Sequence, residues 1–345
     1  MNKYIQTYNT TAEYEAGTKE NPNVSFVVDT NTLYYDGERH DIPIDYSAMY
    51  LTFKVKTDGT FKFSGSTTAN TLSYSLDDGS TWVALANNTD TPTVTSGSKI
   101  LWKGTCTPQS GNGIGMFTST AQFEVVGNVM SLVSGDSFTE ANSVATYQFY
   151  RLFVACAGLT SAENLVLPAT TLASNCYSYM FAYCASLTTA PELPATTLAD
   201  SCYSSMFDGC IRLTTAPELP ATTLATSCCS YMFNGCTSLT TAPELHATTL
   251  TYNCYGYMFK GCTGLTTVPE LPATTLVGNC YRQMFEGCSN LNYIKCMATD
   301  ISAVASIYGW VNGVAASGTF VKNASMTSWP SGADGIPTGW TVVDA

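Results

Sequence analysis

Residues 167–184 read LPATTLASNCYSYMFAYC, and the way this stretch returns along the chain decides the fold. The heptapeptide LPATTLA at 167–173 recurs at 193–199 and 219–225, then as LHATTLT from 245 and LPATTLV from 271, a constant period of 26 residues. Self-similarity at this spacing marks stacked supersecondary units, because one such unit cannot bury its own apolar face. Cysteines keep the same period. One column is Cys176, Cys202, Cys228, Cys254 and Cys280, and the other is Cys184, Cys210, Cys236, Cys262 and Cys288. Ten of the 14 cysteines are therefore repeat positions.

Within one unit, Leu172, Cys176, Tyr177, Met180, Phe181 and Cys184 fall at i, i+4, i+5, i+8, i+9 and i+12, which is one face of an amphipathic helix. Thr170 or Thr171 suits its N-cap, and Gly209, Gly235, Gly261 and Gly287 stand where a left-handed residue ends a helix. LTTAPEL at 187–193 then reads as a short strand stopped by Pro191. The spacing thus predicts an α/β leucine-rich-repeat solenoid of 26-residue units. Its entry is FYRLFVACAGLTSAENLV, with two extra residues between cysteine and leucine box, and its exit loses the box after CSNLNYIKC.

The MFxGCxxLTTAPELPATTL unit resembles the cysteine-containing leucine-rich repeats of BspA-like surface proteins, common in gut anaerobes and their phages. The likeness covers roughly 150–310, and the ending GIPTGWTVV is similar to tails of that group. The resemblance implies adhesion or partner binding without catalysis.

Upstream, the pattern changes to YLTFKVK (50–56), TFKFS (60–64), TLSYS (71–75), TWVAL (81–85), KILWKG (99–104) and TAQFEVVG (120–127), separated by turn signals such as Asp58-Gly59 and Asp78-Gly79. An antiparallel β-sandwich or jelly roll follows, giving an α+β chain. The division expected is an attachment arm at 1–45, a sandwich at 46–135, the solenoid at 136–310 and a C-terminal cap at 311–345. Two readings of 1–45 stand beside each other: a docking arm, or edge strands added to the sandwich.

Composition narrows the function. Only 12% of the 345 residues are charged, about half the usual share, and the net charge is −12. Four arginines (Arg39, Arg151, Arg212, Arg282) make no phosphate-tracking stripe, so nucleic acid is a poor partner. His40 and His246 are the only histidines, which leaves little for metal or general-base chemistry, and no cofactor motif occurs. No apolar run spans a bilayer, so membrane insertion is not expected.

SLDDGSTW at 75–82 matches the Asp-box of sialidase propellers, but the box is a hairpin device, in which Asp77 bonds the turn, Gly79 relaxes it and Trp82 packs beneath. One copy does not make a propeller, and this half has only Arg39 to meet a substrate carboxylate. A glycan-cleaving enzyme would need paired carboxylates in a cleft.

Three columns are candidate binding residues. Thr189, Thr215, Thr241 and Thr267 place hydroxyls along one strand face, to bond a glycan or protein or simply to satisfy β-propensity. Glu192, Glu218, Glu244 and Glu270 stack like charges, as a solvated rim or as a site for Ca²⁺ or a basic partner. Tyr179, Tyr231 and Tyr257 offer rings for sugar stacking or for packing between units. The cysteines read as buried thiols, with disulfides conceivable only along the Cys184/Cys210/Cys236/Cys262/Cys288 column and no zinc set in view.

Because the N-terminus MNKYIQTYNTTAEYEAGTKE shows no export signal, the expectation is a phage virion surface protein, a fibre or decoration. It would dock to other virion proteins through 1–45 and bind host-surface glycan or protein through the repeats, with homo-oligomerisation open. The other setting is a bacterial BspA-like adhesin on the cell surface.

Overall fold

Alternating runs rich in β-branched and aromatic residues become strands wherever one face can be buried. In the computed structural model, the described residues are 44–65 and 71–345, together with the backbone of four short strands before them. Those four are β1 (Gln6–Tyr8), β2 (Val24–Val27), β3 (Thr32–Tyr35) and β4 (Glu38–Asp41), which pair only with one another in a sheet of order β1-β2-β3-β4. The segments between them lie outside the described residues, and with them the rest of the expected arm. The chain divides into two compact units, Met1–Tyr46 and Ser47–Ala345.

The larger unit begins with β5 (Leu51–Val55), β6 (Phe61–Gly65), β7 (Leu72–Ser75), β8 (Val83–Leu85), β9 (Lys99–Gly104), β10 (Gly115–Ser119) and β11 (Phe123–Asn128). Then come α1 (Ser131–Ser134) and β12 (Leu159–Val166). Six strands form a sheet of order β12-β11-β5-β9-β7-β8, and β10 pairs with β6 in a separate ribbon. Inward rings close the space between them. Phe53 lies 5.0 Å from Phe117 and 5.3 Å from Phe61, and Trp102 lies 5.0 Å from Phe117. Such pairs add about 0.5–1.5 kcal/mol each beyond the area they bury. The sheet is not purely antiparallel: β12, from the entry of the repeats, pairs parallel with β11. Sheet and repeats therefore share one unbroken core.

The repeats contain no helix. Among the described residues, α1 is the one α-helix, four residues long, so the expected α/β leucine-rich-repeat solenoid is not the fold. The segment 173–184 is instead a chain of tight turns. Cys176, Ser178, Met180, Ala182 and Cys184 donate their N–H groups three residues back, to Ala173, Asn175, Tyr177, Tyr179 and Phe181. The alternate amides point to the following unit: Asn175, Tyr177, Tyr179, Phe181 and Tyr183 donate to the carbonyls of Asp200, Cys202, Ser204, Met206 and Asp208. Within the segment every second amide closes a turn and the others join neighbouring rungs, so the buried backbone is satisfied without a helix.

This geometry requires a left-handed residue at every fourth position. Asn175, Tyr179 and Tyr183 have φ of 57°, 57° and 61°, and the triplet recurs at 201/205/209, 227/231/235, 253/257/261 and 279/283/287. It also appears earlier, at Tyr147, Arg151 and Ala155, and later, at Ala305, Gly309 and Gly313. The stack thus has seven rungs of this kind. The last runs through SIYGWVNG (306–313), across the expected boundary between repeats and cap, and Tyr281, Gln283, Phe285 and Gly287 donate to its carbonyls.

Phenylalanine rings run the length of the stack. Phe153, Phe181, Phe207, Phe233, Phe259 and Phe285 follow one another at 5.4–6.0 Å with planes within 9°. The far end is closed by Trp310 and by a parallel sheet of β13 (Tyr293–Cys296), β14 (Thr319–Lys322) and β15 (Thr341–Asp344). No helix among the described residues is long and apolar enough to cross a membrane.

Candidate functional site

After the turn chain, two successive rungs carry the segment LTTAPELP, at 187–194 and 213–220, and the next two carry LTTAPELH and LTTVPELP. Thr188, Thr189, Pro191, Glu192 and Pro194 of one rung, and Thr214, Thr215, Pro217, Glu218 and Pro220 of the next, line a groove of about 540 Å³. Leu187, Leu193, Leu213 and Leu219 are buried and pin the two segments to the core, so the intervening threonines and glutamates are held outward. The groove thus brings together four of the expected residues, Thr189, Thr215, Glu192 and Glu218. Glu163 of β12 also lines it; because Ser161 pairs with Thr189, Glu163 falls beside Pro191 and outside the glutamate column that the repeat marks.

The threonines differ in their partners. Thr189 Oγ1 shares a hydrogen bond of 2.6 Å with Ser161 Oγ and is half-buried, whereas Thr215, Thr241 and Thr267 are exposed. The Thr188 and Thr240 hydroxyls donate to the carbonyls of Thr160 and Thr214, respectively. All four glutamates of the column are exposed. Glu270 meets Lys295 at 2.7 Å, and that bond is the main reason the Lys295 ammonium holds its proton more tightly than usual.

The tyrosine column lies on the turn side, away from these segments in sequence and register. Tyr231 and Tyr257 stack at 4.2 Å with planes 7° apart, and Arg282 Nε donates to Tyr257 Oη at 2.8 Å. Tyr179 packs edge-on to Tyr150 at 5.8 Å, with the Arg151 guanidinium 5.5 Å from its ring. These contacts pack the tyrosines between rungs, and all three remain half-buried.

Beside it, Asp208 is buried. Asn234 Nδ2 donates to its Oδ1 at 2.7 Å and Tyr183 Oη to its Oδ2 at 3.1 Å. Burial raises its affinity for a proton, and the two hydrogen bonds oppose that.

In the Asp-box hairpin, Asp77 accepts from Ser75 Oγ at 2.8 Å and from Thr81 N–H and Oγ1 at 2.8 and 2.7 Å, bonds that hold its carboxyl below the usual range. Gly79, at φ 85°, sits over Trp82, whose indole lies 3.6 Å from where a Cβ would stand. The Lys103 ammonium caps the Trp82 ring at 4.4 Å and binds Asp136 at 2.8 Å. The Asp77 contacts hold the turn, while Trp82 packs edge-on to Tyr50 at 5.0 Å and Asp78 meets Lys99 at 2.7 Å.

All 14 cysteines are free and buried. The Cys184 column is tied across rungs by hydrogen bonds, not disulfides. Cys184, Cys210, Cys236, Cys262 and Cys288 donate their thiols to the carbonyls of Phe153, Phe181, Phe207, Phe233 and Phe259 at 2.9–3.1 Å. Among the described residues no group of three or more His, Cys, Asp or Glu side chains is placed to hold a metal ion.

No family model matches the chain, and neither the curated proteins nor the solved structures contain a match to it.

Proposed function

We propose that the chain is a non-enzymatic recognition protein, whose repeat stack presents the Thr/Glu/Pro groove to a glycan or protein on a host surface. The N-terminal unit attaches it to a larger assembly, a phage virion by preference, and the repeats adhere to a partner, as the BspA-like resemblance implies. The observation that carries this reading is the groove itself: two successive copies of the same segment place hydroxyls, carboxylates and proline rings around one concavity. Concave sites with a few convergent polar groups on a rigid frame are where ligands bind. Glu163, Glu192 and Glu218 share it and are all exposed. Glycoside cleavage needs two carboxyls in unlike environments, one protonated and one ionised, so this set favours binding.

Mass spectrometry of purified particles, with the full chain and with a chain lacking residues 1–45, tests the attachment. Co-purification of the full chain alone supports docking to a virion. Recovery of both chains in a bacterial envelope fraction, and of neither with particles, replaces it with a cellular adhesin. Thr215→Arg, which fills the groove from an exposed position, is expected to abolish binding to host cells.

A further inference from the structure

Backbone pairing along the threonine face alternates. Thr188 N–H donates to Thr160 O and Ala162 N–H to Thr189 O, which joins β12 to the first segment. Thr240 N–H donates to Thr214 O and Ala216 N–H to Thr241 O, which joins the second segment to the third. Between the first and second, the equivalent donors Thr214 N–H and Ala190 N–H make no hydrogen bond to the described residues, and neither Thr188 O nor Thr215 O accepts one. The ladder lapses there and again between the third and fourth segments, where Thr266 N–H and Ala242 N–H make no such bond, and the groove lies at the first of these lapses.

Resting on the recognition reading above, we propose that this lapse binds the acetamido group of a neutral N-acetylated glycan. Each segment offers one backbone donor and one backbone acceptor, Ala190 N–H and Thr188 O on the first and Thr214 N–H and Thr215 O on the second, and a planar trans amide, whose C=O and N–H point opposite ways, can bridge the two. Its carbonyl takes Thr214 or Ala190 N–H, and its N–H goes to Thr188 or Thr215 O. Ala216, Pro217 and Pro191 offer apolar surface to the acetyl methyl, and the threonine hydroxyls face the sugar hydroxyls. Three exposed carboxylates around the groove repel acidic sugars. A peptide strand is a poorer occupant. It needs a continuous open edge along which to make successive bonds, and here the segments are paired again on both outer sides.

Isothermal titration of the full chain with N-acetylglucosamine tetramer and with glucose tetramer tests this. The N-acetylated oligomer is expected to bind at least about tenfold tighter, the share of a satisfied amide. Thr215→Arg should abolish that binding, whereas Thr248→Arg, exposed and outside the groove lining, should retain it with the same melting temperature. Equal affinity for the two oligomers, or no binding of either, overturns the ligand class. If Thr215→Arg still abolishes attachment to host cells in that case, the groove reading survives and the occupant is another molecule, a protein included. If Thr215→Arg leaves attachment intact, both readings fall.

Discussion

The thiol of Cys236 donates to the carbonyl oxygen of Phe207 at 3.1 Å, and the same oxygen also accepts the Cys210 N–H at 3.0 Å. One phenylalanine carbonyl thus closes its own turn and receives a cysteine from the next rung. Because the turn bond remains when the thiol is removed, the carbonyl is never orphaned, and packing decides what substitution costs.

Cys236→Ser keeps a donor but, like Cys236→Ala, loses the volume of the sulfur in a fully buried site, so both variants are expected to cost about 1–3 kcal/mol. Denaturant midpoints at constant slope measure both. A serine variant as stable as the parent beside a destabilised alanine variant would make the hydrogen bond, and not the filled volume, the larger contribution.

Burial raises the thiol pKa at Cys176, Cys288 and Cys296 to about 12 and at Cys156 and Cys280 to about 11, from an ordinary 9.0. The folded value exceeds the unfolded one. The stability these thiols contribute is fully present below about pH 9 and is lost as pH rises toward 12, at about 1.4 kcal/mol per pH unit for each fully shifted group. Cooperative alkaline unfolding is expected inside that window. At pH 8, iodoacetamide should leave all the cysteines unmodified in the native protein and alkylate them after denaturation. Rapid native labelling of the Cys184 column would contradict its burial.

The period of the repeats, the apolar positions and the cysteine columns were legible in the chain. The leucine-rich-repeat solenoid they suggest is not the fold, and the local conformation was not legible, for a physical reason. Apolar residues at 176, 177, 180, 181 and 184 fit a helix of 3.6 residues per turn and a turn chain of period four equally over nine residues, since the two drift apart by only about 40° per four residues. What separates them is the third position of each triplet and its first. Asn175, Asn253 and Asn279 are residues that tolerate positive φ, spaced eight before a second left-handed position filled by Tyr183, Gly261 and Gly287. A helix admits one such residue, at its end. The groove was half legible: its threonines and glutamates follow the repeat, but the alternate pairing that opens it depends on how neighbouring backbones meet, and identical sequences at 187–193 and 213–219 do not encode a difference between them.

Far-ultraviolet circular dichroism should accordingly lack the double minimum of an α-helix. The left-handed columns make a second test. At Gly261, with φ 73°, an added Cβ would stand 3.7 Å from Gly235, in ordinary contact, so any cost comes from the backbone alone. Gly261→Ala is expected to destabilise by about 1–2 kcal/mol and Gly261→Asn by less. A strong helical signal, or alanine as well tolerated as glycine, would refute the turn chain.

Asp208 carries the last prediction. Its carboxyl is buried between Asn234 and Tyr183, and burial raises its folded pKa above the unfolded value. The neutral form is thus the one the fold prefers. Its contribution is fully present below the ordinary carboxylate pKa and is lost as pH rises through the folded value, so at neutral pH the stack holds a charge that its surroundings disfavour. Asp208→Asn removes that charge while keeping the shape, and the melting temperature at pH 7 should rise. At a pH below the ordinary carboxylate range the difference between variant and parent should shrink, because both side chains are then neutral. Melting temperatures of the two proteins across that range measure the effect. A variant less stable than the parent at pH 7 would mean that the ionised carboxylate, accepting from Asn234 Nδ2 and Tyr183 Oη, contributes more to joining the rungs than its burial costs.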